Sequence, residues 1–155
     1  MKERLSFNLQ FILIEDQKTT LLQIARGLKK ADPEYRFESS EYFLHGNDLL
    51  AQVQIYHRGE DLFRSQIEWL RYRASSQDKP AKEPVLQMLE NASRILFFQV
   101  LQVELSAEQA LPLFSPLWDW LFTHRKGLLY VDAEGFWDAE GLLLPDDTIT
   151  LRKSL

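Results

Sequence analysis

The segment Ile95-Leu-Phe-Phe-Gln-Val-Leu-Gln-Val103 constrains the fold more than any other. It is apolar at almost every position, whereas a strand with one wet face would alternate. A strand that reads this way sits inside a sheet and is covered on both sides. The rest of the chain must therefore supply neighbouring strands and a helical cover for it.

Leu5, Phe7, Leu9, Phe11 and Leu13 alternate with Ser6, Asn8 and Gln10 before the pattern fills in at Ile12 and Ile14. Period two over this length predicts a half-buried strand. Thr19 or Thr20 then caps a helix whose apolar face is Leu21, Leu22, Ile24, Ala25 and Leu28. Asp32-Pro33 stops it, because the residue before a proline avoids the helical region. Tyr35 to Leu44 reads as a strand, His45-Gly-Asn-Asp48 as a turn, and Leu49 to Tyr56 as the returning strand. After Gly59 a helix presents Leu62, Phe63, Ile67, Leu70 and Ala74, with Arg64, Glu68, Arg71 and Arg73 on its solvated side.

Residues 75–84 are small or charged, contain two prolines and show no period, which marks a linker between two sub-halves of one globular domain. A short helix follows, with Val85, Met88, Leu89 and Ala92 inward. Ser106 and Gln109 have the spacing of a capping box. The helix they open carries Leu111, Phe114, Leu117, Trp118, Leu121 and Phe122, with Pro112 and Pro116 predicting a kink or a late start near Ser115. Gly127 reads as the helix stop, Leu128–Val131 and Leu142–Leu144 as strands, and Thr148–Leu151 as a last short strand. The expected class is α+β: a largely antiparallel sheet with helices packed mainly on one face, in two similar β-α-β-β halves.

Composition narrows function by exclusion. The chain of 155 residues is 45% apolar, 26% charged and carries a formal charge of −5. No basic footprint is present for phosphates, so no nucleic-acid partner is expected. The absence of cysteine removes disulfides, thiolate metal sites and thiol catalysis, and is compatible with a cytoplasmic protein. The N-terminal segment lacks an unbroken apolar stretch, so neither a signal peptide nor a membrane span is expected. No Gly-rich phosphate loop and no Gly-x-Ser-x-Gly elbow occurs. His45, His57 and His124 stand apart from one another, which gives zinc little support, and His124 reads as a cap on a helix C-terminus.

The most patterned stretch is Asp132-Ala-Glu-Gly135, Phe136-Trp137, Asp138-Ala-Glu-Gly141. The simplest reading is a bend, a short strand and a glycine-set hairpin turn. Its carboxylates also raise two chemical alternatives. On extended backbone, Asp132 pairs with Glu134 and Asp138 with Glu140, an arrangement able to bind a hard cation or do acid/base work. Alternatively, acidic residues beside a large exposed aromatic make a protein-binding surface. The expectation is a non-enzymatic interaction module, of adaptor or toxin-neutralising type, with Asp132, Glu134, Trp137, Asp138 and Glu140 touching a protein partner and no cofactor. A metal-dependent enzyme using the same carboxylates, and a self-associating structural domain working as a homodimer, are the alternatives.

Overall fold

In the computed structural model, which describes residues 6–15, 18–101, 107–132 and 134–146, the chain forms one eight-stranded sheet and four helices. The elements run β1 (Ser6–Ile14), α1 (Leu21–Ala31), β2 (Tyr35–Glu38), β3 (Tyr42–His45), β4 (Asp48–His57), α2 (Asp61–Ser75) and α3 (Lys82–Glu90). They continue as β5 (Ala92–Leu101), α4 (Ala107–His124), β6 (Gly127–Val131), β7 (Gly135–Asp138) and β8 (Gly141–Pro145). The sheet order is β2-β3-β4-β5-β1-β6-β7-β8, every neighbouring pair is antiparallel, and the α+β class holds.

The two lead strands, β1 and β5, lie side by side at the centre. β1 takes β5 and β6 as partners, and β5 takes β4 and β1. Each lead strand therefore pairs only with strands from the other half of the chain. Both halves follow the order strand, helix, three-stranded meander, one strand more than the expected β-α-β-β unit. Their meanders are entered differently. After α1 the chain goes to the outer edge and works inward, whereas after α4 it enters beside β1 and works outward.

The helices divide two to a face rather than gathering on one. On one side α1 and α4 bury Leu21, Ile24, Leu28, Phe114, Leu117 and Leu121 against Leu9, Phe11, Leu13, Phe43 and Phe98. On the other, α2 and α3 bury Phe63, Leu70, Ala74, Val85 and Leu89 against Ile12, Ile95, Tyr130 and Phe136. The alternation of β1 is what separates Leu9, Phe11 and Leu13 from Ile12 and Ile14. The covered central strand predicted at 95–103 is β5, and its double cover explains the near-absence of polar residues in its middle.

Local signals account for much of this. Thr20 is the N-cap of α1 in a reciprocal capping box: its hydroxyl accepts from the Gln23 amide at 3.2 Å, and the Gln23 side chain accepts from the Thr20 amide at 3.0 Å. Asp32 is the C-cap, as the following proline demands. The expected single strand 35–44 is instead a hairpin, because Ser39 and Ser40 both adopt φ of +55° and turn the chain back on itself. α4 starts at Ala107, not near Ser115, and holds both prolines inside it. The hydrogen bonds they forfeit are outweighed by the burial of Phe114, Leu117 and Leu121. Gly127 does not stop α4 but begins β6, where an added Cβ would run into the Phe11 ring. Leu62, expected inward, is exposed. The capping residue Ser106 and the predicted strand at 148–151 lie outside the described residues.

Among the described residues no helix is long and apolar enough to cross a membrane.

Candidate functional site

The tandem acidic stretch forms the β6–β8 meander, and its two turns sit at opposite ends of β7. The first turn is closed by Glu134, whose amide donates to the Val131 carbonyl at 3.0 Å. Asp132, half-buried here, accepts from the Asn8 amide through Oδ2 at 2.8 Å, while the Asp132 amide donates to the Asn8 carbonyl at 3.2 Å. The second turn is closed by Asp138, whose Oδ1 accepts from the Glu140 and Gly141 amides at 2.9 and 3.2 Å. This is an Asx-type turn, and Gly141 supplies the positive φ of +140° that it needs.

The arrangement sets the carboxylates apart in two pairs. At about 3.3 Å per residue, β7 holds the two acidic turns roughly 13 Å apart, so the four carboxylates do not converge on one ion. Among the described residues no three His, Asp or Glu side chains gather as a metal set. His124 and Asp132 lie beyond opposite ends of β6 and cannot form a proton relay. His124 instead places Nδ1 2.9 Å from the Trp120 carbonyl and stacks on the Trp120 ring, as a helix-terminal cap.

Phe136 and Trp137 point to opposite faces, as alternation requires, but neither is exposed. Phe136 is buried with the α2/α3 layer, and Trp137 is half-buried against the α1/α4 layer with its Nε1 shielded from solvent. The exposed apolar residue of the meander is Leu142, which pairs across the ladder with Trp137 and is 46% exposed. Glu134 and Glu140 are both exposed, one at each turn. Near the second turn, Asp138, Ala139 and Glu140 line a cleft of about 420 Å³ together with Ile14, Met88, Phe122, Arg125 and Lys126.

Behind the meander lies a polar cluster that sequence reading does not suggest. Arg73, expected on the solvated side of α2, is buried, and its Nε donates to Oδ2 of the fully buried Asp146 at 2.8 Å. The same oxygen accepts from the Tyr130 hydroxyl at 2.6 Å, and Gln77 Nε2 donates to Asp146 Oδ1 at 3.1 Å. Trp69 places its ring 5.4 Å from the Arg73 guanidinium and meets Tyr130 edge to face. Burial pushes the Tyr130 hydroxyl far above the usual tyrosine range, and the adjacent Asp146 carboxylate adds to the shift, so the phenol stays a hydrogen-bond donor. Burial likewise raises Asp132, against the opposing effects of the Asn8 amide and the Arg73 charge. With its carboxylate saturated by donors and its tyrosine locked neutral, the Asp146 cluster is a clamp between α2 and the end of β8. The signal that would have found it is Asp146 directly after an edge strand, but its partner stands 73 positions earlier.

Comparison with protein families, with curated proteins and with solved structures finds no significant similarity to this chain.

Proposed function

We propose that this domain is a non-enzymatic protein-interaction module, of adaptor or toxin-neutralising type, and that its partner meets the β6–β8 meander. The observation that carries the reading is Leu142, nearly half exposed on the last strand of the sheet order. It lies between two acidic turns whose outermost groups, Glu134 and Glu140, enter no ion pair among the described residues. β8 itself, Gly-Leu-Leu-Leu-Pro, has no charged side chain, whereas the opposite edge strand β2 carries the Arg36–Glu38 pair. An apolar edge rimmed by carboxylates fits a protein segment that offers an aliphatic or aromatic side chain flanked by basic residues. Asp132, Trp137 and Asp138 then act mainly by shaping the turns and backing Leu142, while Glu134 and Glu140 make the contacts. A cytoplasmic setting accords with the cysteine-free composition.

The same uncharged edge favours self-pairing as a second reading, since two copies of β8 are able to join edge to edge. Affinity capture from the native host, with light scattering on the purified domain, separates the two. The reading predicts that Leu142→Asp and Glu140→Lys each lose a partner that the wild type and a Leu22→Asp control on α1 retain. Trp137 is a poorer probe because its indole is packed. A partner retained by both meander variants moves the interface elsewhere, and a dimer abolished by Leu142→Asp favours self-association.

A further inference from the structure

The α2/α3 face of the sheet changes character along its strands. Tyr56, Ile95, Ile12 and Leu128 form an apolar row across β4, β5, β1 and β6, beneath the two helices. Two residues further along each strand, and hence on the same face, the row becomes Gln54, Phe97, Gln10 and Tyr130. Two further still it is Gln52, Gln99 and Asn8, extended through Tyr42 on β3 and ending beside Asp132. Gln52, Gln99, Asn8 and Tyr42 are all half-exposed, while the opposite face at this level is closed by Phe98 and Val100. α2 reaches from β4 to the end of β8. Its first turn lines a pocket with Tyr56, and its last turn reaches Tyr130 and Asp146 on the far side.

Directly opposed residues in a ladder have Cβ atoms about 5 Å apart, so Gln99 is within reach of both Gln52 and Asn8. Yet their side-chain amides form no hydrogen bond with each other or with any described residue. Gln10, next to them along β1, is only 1% exposed, and its Oε1 has no partner. A buried amide oxygen left unpaired costs about 1–3 kcal/mol. Three amides in register that decline to pair, in front of a buried fourth that lacks one, are a hydrogen-bonding surface prepared for something else.

We infer that the face formed by Gln52, Gln99, Asn8 and Tyr42, with Gln10 beneath it, binds a neutral, hydroxyl-rich ligand, a carbohydrate. Each side-chain amide offers two donors and an acceptor, and a hydroxyl matches either role. No cationic side chain stands in the row to receive a phosphate or carboxylate, and its one acid, Asp132, already accepts from the Asn8 amide. Tyr42, at the outer end, presents a ring for the apolar face of a sugar. The site lies away from the β7–β8 turn and does not depend on the meander's partner.

The test is a binding screen of the whole chain against neutral mono- and oligosaccharides, by glycan array and then by NMR titration. Chemical shifts of the Gln52, Gln99 and Asn8 side-chain amides should move on addition of a bound glycan. Gln99→Leu should weaken binding about tenfold, the loss of one good hydrogen bond. Gln52→Ala serves as a second variant should Gln99→Leu misfold, and Gln87→Ala on α3 should leave binding unchanged. Failure of every neutral glycan to bind at millimolar concentration overturns the proposal. So does binding that Gln99→Leu and Gln52→Ala leave intact, or shifts confined to acidic or phosphorylated ligands.

Discussion

Arg73 and Asp146, 73 positions apart in sequence, meet as a buried ion pair at 2.8 Å that ties α2 to the end of the last strand. Removing one member leaves the other charge buried without compensation, which costs about 3–5 kcal/mol. Arg73→Met and Asp146→Ala should each lower the free energy of unfolding by about that much in urea titrations. Tyr130→Phe, which deletes a single hydroxyl donor, should cost about 1–2 kcal/mol. The double variant Arg73→Met/Asp146→Leu should be less damaged than the sum of its parts.

Two aspartates should respond to pH with opposite sign. Hydrogen bonds from His45 and from the Glu34 amide hold Asp32 below its usual range. Its contribution is present above the ordinary aspartate pKa and is lost as pH falls through the folded value. Burial holds Asp132 above its usual range, so its ionisation opposes folding and that penalty disappears on acidification. Asp132→Asn, which keeps an oxygen for the Asn8 amide, should raise Tm at pH 7 and lose the advantage below about pH 4. Asp32→Asn should lower Tm at pH 7 and be neutral at low pH. Thermal unfolding from pH 3 to 8 reads both.

Gly127 and Gly27 are required by side-chain packing. A Cβ on Gly127 would enter the Phe11 ring and lie 2.9 Å from the Ile12 carbonyl oxygen, and one on Gly27 would enter the Trp120 indole. Gly127→Ala and Gly27→Ala should each destabilise by about 1–3 kcal/mol. At Gly27 this loss appears despite alanine's better helix propensity. Chemical denaturation measures both.

Magnesium and calcium should leave the melting temperature unchanged. A site holding either ion at a hundredfold excess over its dissociation constant would add about 2.7 kcal/mol. The length of β7 keeps Asp132 and Glu134 from joining Asp138 and Glu140 in one such site. A thermal-shift titration with 10 mM of either salt, judged against ~2.7 kcal/mol, checks this.

What could be read from the sequence was what neighbouring residues decide among themselves. The alternation of β1, the Thr20 cap, the Asp32-Pro33 stop and the apolar run of β5 all carry local signals, and all reappear in the fold. The 39–41 turn escaped because its left-handed positions are serines, not glycine or asparagine. Gly127 was ambiguous because glycine ends helices and also admits a neighbouring ring, and only the approach of Phe11 distinguishes these roles. Arg73 sits at a helical position suited to solvent, and only Asp146 explains its burial. The acidic meander was visible as a hairpin, but its exposed apolar group is Leu142 and not Trp137, because the indole packs against the core cluster on the α1/α4 side of the sheet. The amide row was invisible because its members come from three strands separated by long stretches of chain.

The reciprocal pairing of β1 and β5 also sets an order of events during synthesis. β1 precedes both of its neighbours, β5 and β6, with the whole of α1, β2, β3, β4, α2 and α3 between. The leading strand must wait, unpaired, until β5 has followed it out of the ribosome. Severing the 76–81 connection should therefore give two pieces that complete their sheet only on meeting, each supplying the central strand that the other lacks.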